Sequence, residues 1–97
     1  MTDSRTKKAD LAAIAATCEM NYAVASQFSD DPIVVAAVAR CKATYAAFIA
    51  AMAEADAARG FRRISTTMHV RRACAAADSA QAALRIAVEN AECRQSV

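Results

Sequence analysis

Cysteines, carboxylates and a single histidine are the residues of this chain that could take part in catalysis or bind a metal. No two of the four cysteines, Cys18, Cys41, Cys74 and Cys93, have the short spacing of zinc ribbons or thioredoxin-like redox motifs. His69 has no carboxylate within one helical turn to orient it, and no glycine-rich loop offers an oxyanion site. The sequence therefore predicts no enzyme, no cofactor and no metal site.

The cysteines have a second interpretation, as small apolar residues of a helical core. Cys18 and Cys41 lie at similar distances from the turn between the first two helices, so their thiols should be level on adjacent helices. A disulfide between them is sterically conceivable, but an intracellular chain would normally keep it reduced. We expect reduced thiols that are dispensable for function.

A strongly basic segment, RGFRRISTTMHVRR, covers residues 59–72. It holds five of the twelve basic residues and no acidic one, whereas the net charge of the whole chain is only +2. Three large apolar residues, Phe61, Ile64 and Met68, interleave with its arginines. The segment is the candidate binding site of the chain, and the alternative is a solvated end of the protein.

One proline and one glycine divide the chain into three predicted helices. In SDDP, Asp31 can cap a helix that has Pro32 at its first position. In AARGF, Gly60 suits the left-handed conformation that follows a helix end. Three hydroxyl residues offer N-caps for the last helix: Ser65, Thr66 and Thr67. The predicted helices cover residues 4–28, 32–59 and 65–94.

In each predicted helix, seam positions that are mostly apolar recur at alternating spacings of three and four; Ile14 is one of them, and Thr67 is a polar one. Because the turns are short, neighbouring helices should run antiparallel. The sequence predicts one all-α domain, residues 1–97, folded as an antiparallel up-down-up three-helix bundle with alanine-rich, heptad-like seams. Asn21 and Gln81 occupy seam positions, where they either meet water at an edge or form a buried amide pair that fixes the register.

This topology would gather the basic residues at one end of the bundle. Three residues near the start of the chain, Arg5, Lys7 and Lys8, should join five arginines of the basic segment, namely Arg59, Arg62, Arg63, Arg71 and Arg72. The opposite end should carry Asp30, Asp31, Glu89 and Glu92. The sequence thus predicts a chain with oppositely charged ends.

Three kinds of partner fit this pattern. Apolar residues mixed with arginines favour an acidic protein surface or a nucleoprotein complex. The same arginines could instead bind nucleic acid through phosphates, largely without sequence preference, since Phe61 alone could stack on a base. A structural homo-oligomer, such as a homodimer, is the third alternative, and Met20 and Ile86 are predicted to face outward.

The expected function is a non-catalytic binding protein: an adaptor, an accessory subunit or a stoichiometric inhibitor, of the kind that phages and mobile elements encode. No apolar run approaches the roughly 20 residues that span a bilayer. Asp10 and Glu19 flank the apolar stretch LAAIAATC, which argues against an export signal. We therefore expect a cytoplasmic protein without membrane contact.

Overall fold

The computed structural model of the chain describes residues 4–96, with side chains from residue 11 onward. These residues form three α-helices: α1 (Ser4–Ala25), α2 (Pro32–Ala57) and α3 (Arg62–Gln95). A short 3-10 turn, Ser26–Phe28, follows α1. The described residues contain no strand, which confirms the all-α class.

The two punctuating residues act as the sequence predicts. The Asp31 carboxylate accepts hydrogen bonds from the backbone N–H groups of Ile33 (2.9 Å) and Val34 (3.4 Å), with Pro32 at the first helical position. Gly60 has a φ of +63°, the left-handed conformation that side chains rarely adopt. The Asp31 cap and the Gly60 turn are therefore confirmed.

The predicted start of the last helix is wrong by three residues, because α3 begins at Arg62 and has no side-chain cap. Its three hydroxyl residues donate backwards, to backbone carbonyls one turn earlier. Ser65 and Thr66 donate to the Arg62 carbonyl (3.2 and 2.8 Å), and Thr67 donates to the Arg63 carbonyl (2.7 Å). Hydroxyls satisfied in this way fit inside a helix, so they do not mark its beginning.

The core lies toward one end of an elongated molecule of 57 × 24 × 15 Å. There, Phe28 and residues of α2 and α3 such as Val34, Leu84 and Val88 form one buried cluster. Toward the turn between α2 and α3, burial depends on smaller sets of side chains that include Phe48, Ala51, Ala58 and Thr66. α3 packs mainly on α2 and contacts α1 less.

The buried side of α3 matches the predicted seam only in part, since Leu84, Val88 and Ala91 of that seam are buried. Thr67 is exposed, whereas its neighbour Thr66 is buried, and Ala80 and Ala87 are buried although they lie off the seam. Ile14, a seam position of α1, keeps 38% exposure. The reason is that α3 turns its apolar side toward α2 instead of dividing it evenly between two neighbours.

By length and composition alone, α2 could cross a membrane. Its most apolar 18-residue window has a mean hydropathy of 1.6, and 17% of that window is buried. Arg40 and Lys42 interrupt the apolar residues of α2. The helix therefore qualifies through its average composition and not through an uninterrupted run.

Candidate functional site

The basic segment begins at a tight turn between α2 and α3. The backbone N–H of Ala58 donates to the Ala55 carbonyl (3.3 Å) where α2 ends. Gly60 follows in the left-handed conformation, and its carbonyl accepts a hydrogen bond from the N–H of Arg63 (3.1 Å). The Phe61 carbonyl accepts a hydrogen bond from the N–H of Ile64 (3.2 Å). These bonds hold the chain in a compact reversal and direct Phe61 away from the core.

The predicted binding residues whose side chains are described are all exposed: Arg59, Phe61, Arg62, Arg63, Ile64, Met68, Arg71 and Arg72. Phe61 keeps 93% of its surface accessible, Ile64 65% and Met68 51%. We call this set of residues the basic tip. Large apolar side chains gathered in this way mark interaction surfaces more often than a single exposed residue does.

The apolar residues of the basic tip share one side of the helix. Phe61, Ile64, Met68 and Arg72 follow one another at spacings of three, four and four residues, which places them along one face. Thr66, which is buried against α2, lies on the opposite side. The sequence interpretation noted the interleaving but missed this shared face, which the spacing itself would have revealed.

Charge at the basic tip is only partly balanced. Arg62 forms an ion pair with Glu54 across the turn at 3.8 Å, and both side chains are more than half exposed. Such a pair contributes little to folding stability. Because α3 begins at Arg62, Arg62 and Arg63 lie in its first turn, where positive charge opposes the helix dipole.

Three further predicted residues, Arg5, Lys7 and Lys8, belong to α1 by backbone position, but their side chains lie outside the described residues. Their convergence with the basic tip stays a prediction.

The opposite end carries a cation that the sequence interpretation missed. The Arg94 guanidinium binds the Asp31 carboxylate, which also caps α2. This hydrogen bond is the main reason that the pKa of Asp31 lies below its usual range, and the N–H groups of Ile33 and Val34 act in the same direction. Arg94 follows the usual preference for positive charge in the last turn of a helix, but that preference does not identify Asp31 as its partner.

A polar cluster joins the three helices in the middle of the molecule. The Asn21 amide donates to the Gln81 side-chain oxygen (2.7 Å), so the two predicted seam amides do pair. Gln81 in turn donates to the Cys18 sulfur (3.3 Å), and the Cys41 thiol donates to the Ala80 carbonyl (3.2 Å). Lys42 lies 5.5 Å above the Tyr22 ring. The contacts tie α1, α2 and α3 together at one level.

Burial perturbs two titratable groups of this cluster, Cys41 and Tyr22. Burial, followed by the nearby Cys18, raises the pKa of the Cys41 thiol. Burial is also the main cause of the raised pKa of Tyr22. The Tyr22 hydroxyl makes no hydrogen bond of ordinary geometry, although Gln81 and Cys18 lie nearby. A thiol with a raised pKa carries little thiolate at neutral pH and is a weak nucleophile.

The described residues assemble no group of three or more histidine, cysteine or acidic side chains that could hold a metal ion. All four cysteines are free thiols, and His69 is exposed beside the arginines of the basic tip. Among the described side chains, the basic tip remains the most distinctive surface.

Comparison with protein-family models found no match, and comparison with curated proteins and solved structures found no significant similarity.

Proposed function

We propose that this chain is a non-catalytic, cytoplasmic binding protein that acts by protein–protein contact through the basic tip. It would serve as an adaptor, an accessory subunit or a stoichiometric inhibitor of a protein or nucleoprotein complex. The observation that carries the proposal is Phe61, which is 93% exposed on the same face as Ile64 and Met68, among arginines.

The energetics favour a protein partner. Burying a phenylalanine side chain in a partner's pocket would contribute about 1.5–3 kcal/mol, which folding of the isolated chain leaves unused. Aromatic residues and arginine are also the types that most often dominate protein interfaces. The matching surface is an apolar pocket with carboxylates at its rim, which would bind Phe61 and pair with the surrounding arginines.

The proposed scaffold is the antiparallel up-down-up bundle with alanine-rich seams. Two contacts support it, because Arg94 near the end of α3 binds Asp31 at the start of α2, while Arg62 at the start of α3 pairs with Glu54 near the end of α2. The Asn21–Gln81 hydrogen bond connects α1 to α3. This scaffold would hold the basic tip at one extremity, clear of the core.

The test begins with affinity purification of the full chain from its native host, with and without nuclease, and identification of the protein that remains bound. Binding of that purified protein is then measured for Phe61→Ala and for Arg62→Ala combined with Arg63→Ala. We expect each variant to lose at least about tenfold in affinity, which corresponds to about 1.4 kcal/mol. Melting temperatures should barely change, because these side chains are exposed.

Matched controls separate the basic tip from the rest of the surface. Met20→Ala removes a 70% exposed apolar side chain from α1, and Arg40→Ala removes an exposed arginine from α2. Both should bind as the wild type does. Unchanged affinity of the double arginine variant would contradict the proposal.

Nucleic acid is the alternative partner, favoured by the exposed arginines around the start of α3. In that case binding would disappear after nuclease treatment, depend steeply on salt concentration and barely respond to Phe61→Ala. A protein interface should show weaker salt dependence and a clear loss with Phe61→Ala.

A further inference from the structure

Four exposed charged residues stand at seven-residue intervals along α3, and their signs alternate: Arg71, Asp78, Arg85 and Glu92. Because seven residues are close to two helical turns, the four side chains follow one side of the helix. We call them the charge row. It runs from the basic tip toward the opposite end of the molecule.

The charge row is not neutralised within residues 11–96. None of its four side chains makes an ion pair with another described residue, and the Asp78 carboxylate accepts only a long contact of 3.9 Å from the Cys74 thiol. The residues three and four positions away from Arg71 and Asp78 carry no opposite charge. Arg85 has Glu89 four residues away but forms no ion pair with it. Asp78, Arg85 and Glu92 line the open grooves between α1 and α3, so the row presents alternating charge along that side of the molecule.

When two copies of such a row lie side by side in opposite directions, each charge faces an opposite charge on the other copy. A two-fold axis between Gln81 and Ala82 places Arg71 of each copy opposite Glu92 of the other, and Asp78 opposite Arg85. A parallel pairing in register would bring like charges together instead. The geometry points to a homodimer, in which the charge rows of two copies pack antiparallel.

The residues between the charges allow close approach. Ala75 and Ala82 lie on the same side of α3, so no large side chain separates the two helices there. Ile86, which is 57% exposed beside the row, comes level with residues 75–79 of the second copy and can pack on their small side chains. Charge complementarity sets the register and the antiparallel orientation of the two α3 helices, and the Ile86 side chain of each copy adds apolar contact.

The dimer leaves most of the basic tip free. In the antiparallel register, the end of α3 in one copy reaches about the level of Met68 in the other. Phe61 and Ile64 therefore extend beyond the partner helix. Arg71 belongs to both surfaces, but the dimer does not depend on which molecule binds the rest of the basic tip.

Charge reversal tests the dimer with the full chain, by sedimentation equilibrium over a range of concentrations. Asp78→Arg alone, or Arg85→Asp alone, places like charges opposite each other, so the dimer dissociation constant should rise at least about tenfold. The variant with both changes restores the attraction and should return to within about threefold of the wild type. Arg40→Asp on α2 is the control and should leave the equilibrium unchanged.

Circular dichroism of each variant verifies that the helices remain folded. A wild type that stays monomeric at all concentrations overturns the dimer, and so does a folded double variant that associates as weakly as the single ones.

Cross-linking tests the position of the axis. With Cys74 and Cys93 changed to serine, Ala82→Cys should form a disulfide-linked dimer under mild oxidation, because the two copies of this position meet near the axis. Ala75→Cys, on the same side of α3 but far from the axis, should stay reduced. Efficient cross-linking of Ala75→Cys and none of Ala82→Cys would contradict the register.

Discussion

Cys41 shows how the residues of this chain serve packing. Its side chain has no solvent exposure, and its thiol donates to the Ala80 carbonyl. The Cys18 sulfur accepts the amide of Gln81, the next residue along α3. Two thiols therefore contact one turn of α3 from different helices, one as a hydrogen-bond donor and the other as an acceptor.

Replacing both Cys18 and Cys41 with alanine should lower the free energy of unfolding by about 1–2 kcal/mol, because each change removes a small buried group. The variant should remain helical and bind its partner as the wild type does, since neither thiol reaches the basic tip. Urea denaturation followed by circular dichroism measures the loss. A folded variant that no longer binds would show that the thiols have a role beyond packing.

At the scale of elements, the N-cap of α2 is also an electrostatic contact. The pKa of Asp31 is lowered first by the Arg94 hydrogen bond and then by two backbone N–H groups, so the folded state favours the carboxylate. A carboxyl whose pKa is lower in the folded state stabilises the protein above its unfolded pKa, and the contribution is lost as the pH falls through the folded value. Acidification should therefore weaken the contact between the start of α2 and the end of α3.

Asp31→Asn separates the charge from the cap, because asparagine can still accept the N–H bonds of the first turn. We expect this variant to be less stable than the wild type at neutral pH, with a difference that shrinks as the pH falls below the ordinary aspartate range and disappears only below the lowered folded-state pKa of Asp31. Thermal melts from pH 2 to 7 measure the difference. Asp30→Asn, which changes the neighbouring exposed carboxylate, is the control and should keep the wild-type pH dependence.

The ends of the helices show what the sequence could and could not predict. Asp31, Pro32 and Gly60 act through local backbone geometry, so their roles could be predicted from the neighbouring residues. The start of α3 was missed because a hydroxyl can either cap a helix or bond back within it, and Ser65, Thr66 and Thr67 all bond back. The Arg94–Asp31 contact depends on how two long helices align, which no local pattern specifies.

The candidate site also combines features that the local sequence predicts with features that depend on the folded structure. Its composition and its position at a turn were predictable from the RGFRR sequence. The near-complete exposure of Phe61 was not, because apolar residues beside a turn often fold back onto the neighbouring helix. Here the left-handed Gly60 sets the direction of the chain, and Phe61 turns outward.

At the scale of the whole molecule, charge and core are arranged along the same long axis. The basic tip lies at one end, and the large buried cluster of Phe28, Val34, Leu84 and Val88 lies toward the other. The proposed dimer would reverse one copy against the other and so place a basic tip at each extremity. A dimer of this form could engage two partner molecules, or two sites on one partner, with a gain in apparent affinity that depends on their separation.

The uneven distribution of buried residues along α3 also determines which part of the helix unfolds locally. Backbone amides of residues 80–91, next to the large buried cluster, should exchange hydrogen slowly and mainly through global unfolding. Amides of residues 62–70 have fewer buried neighbours and should exchange faster, through local opening of the α2–α3 turn. Exchange measured by NMR or mass spectrometry resolves the two regions, and equal protection along α3 would refute this gradient. A ligand that closes over Phe61 should then slow exchange most in the region that opens most readily.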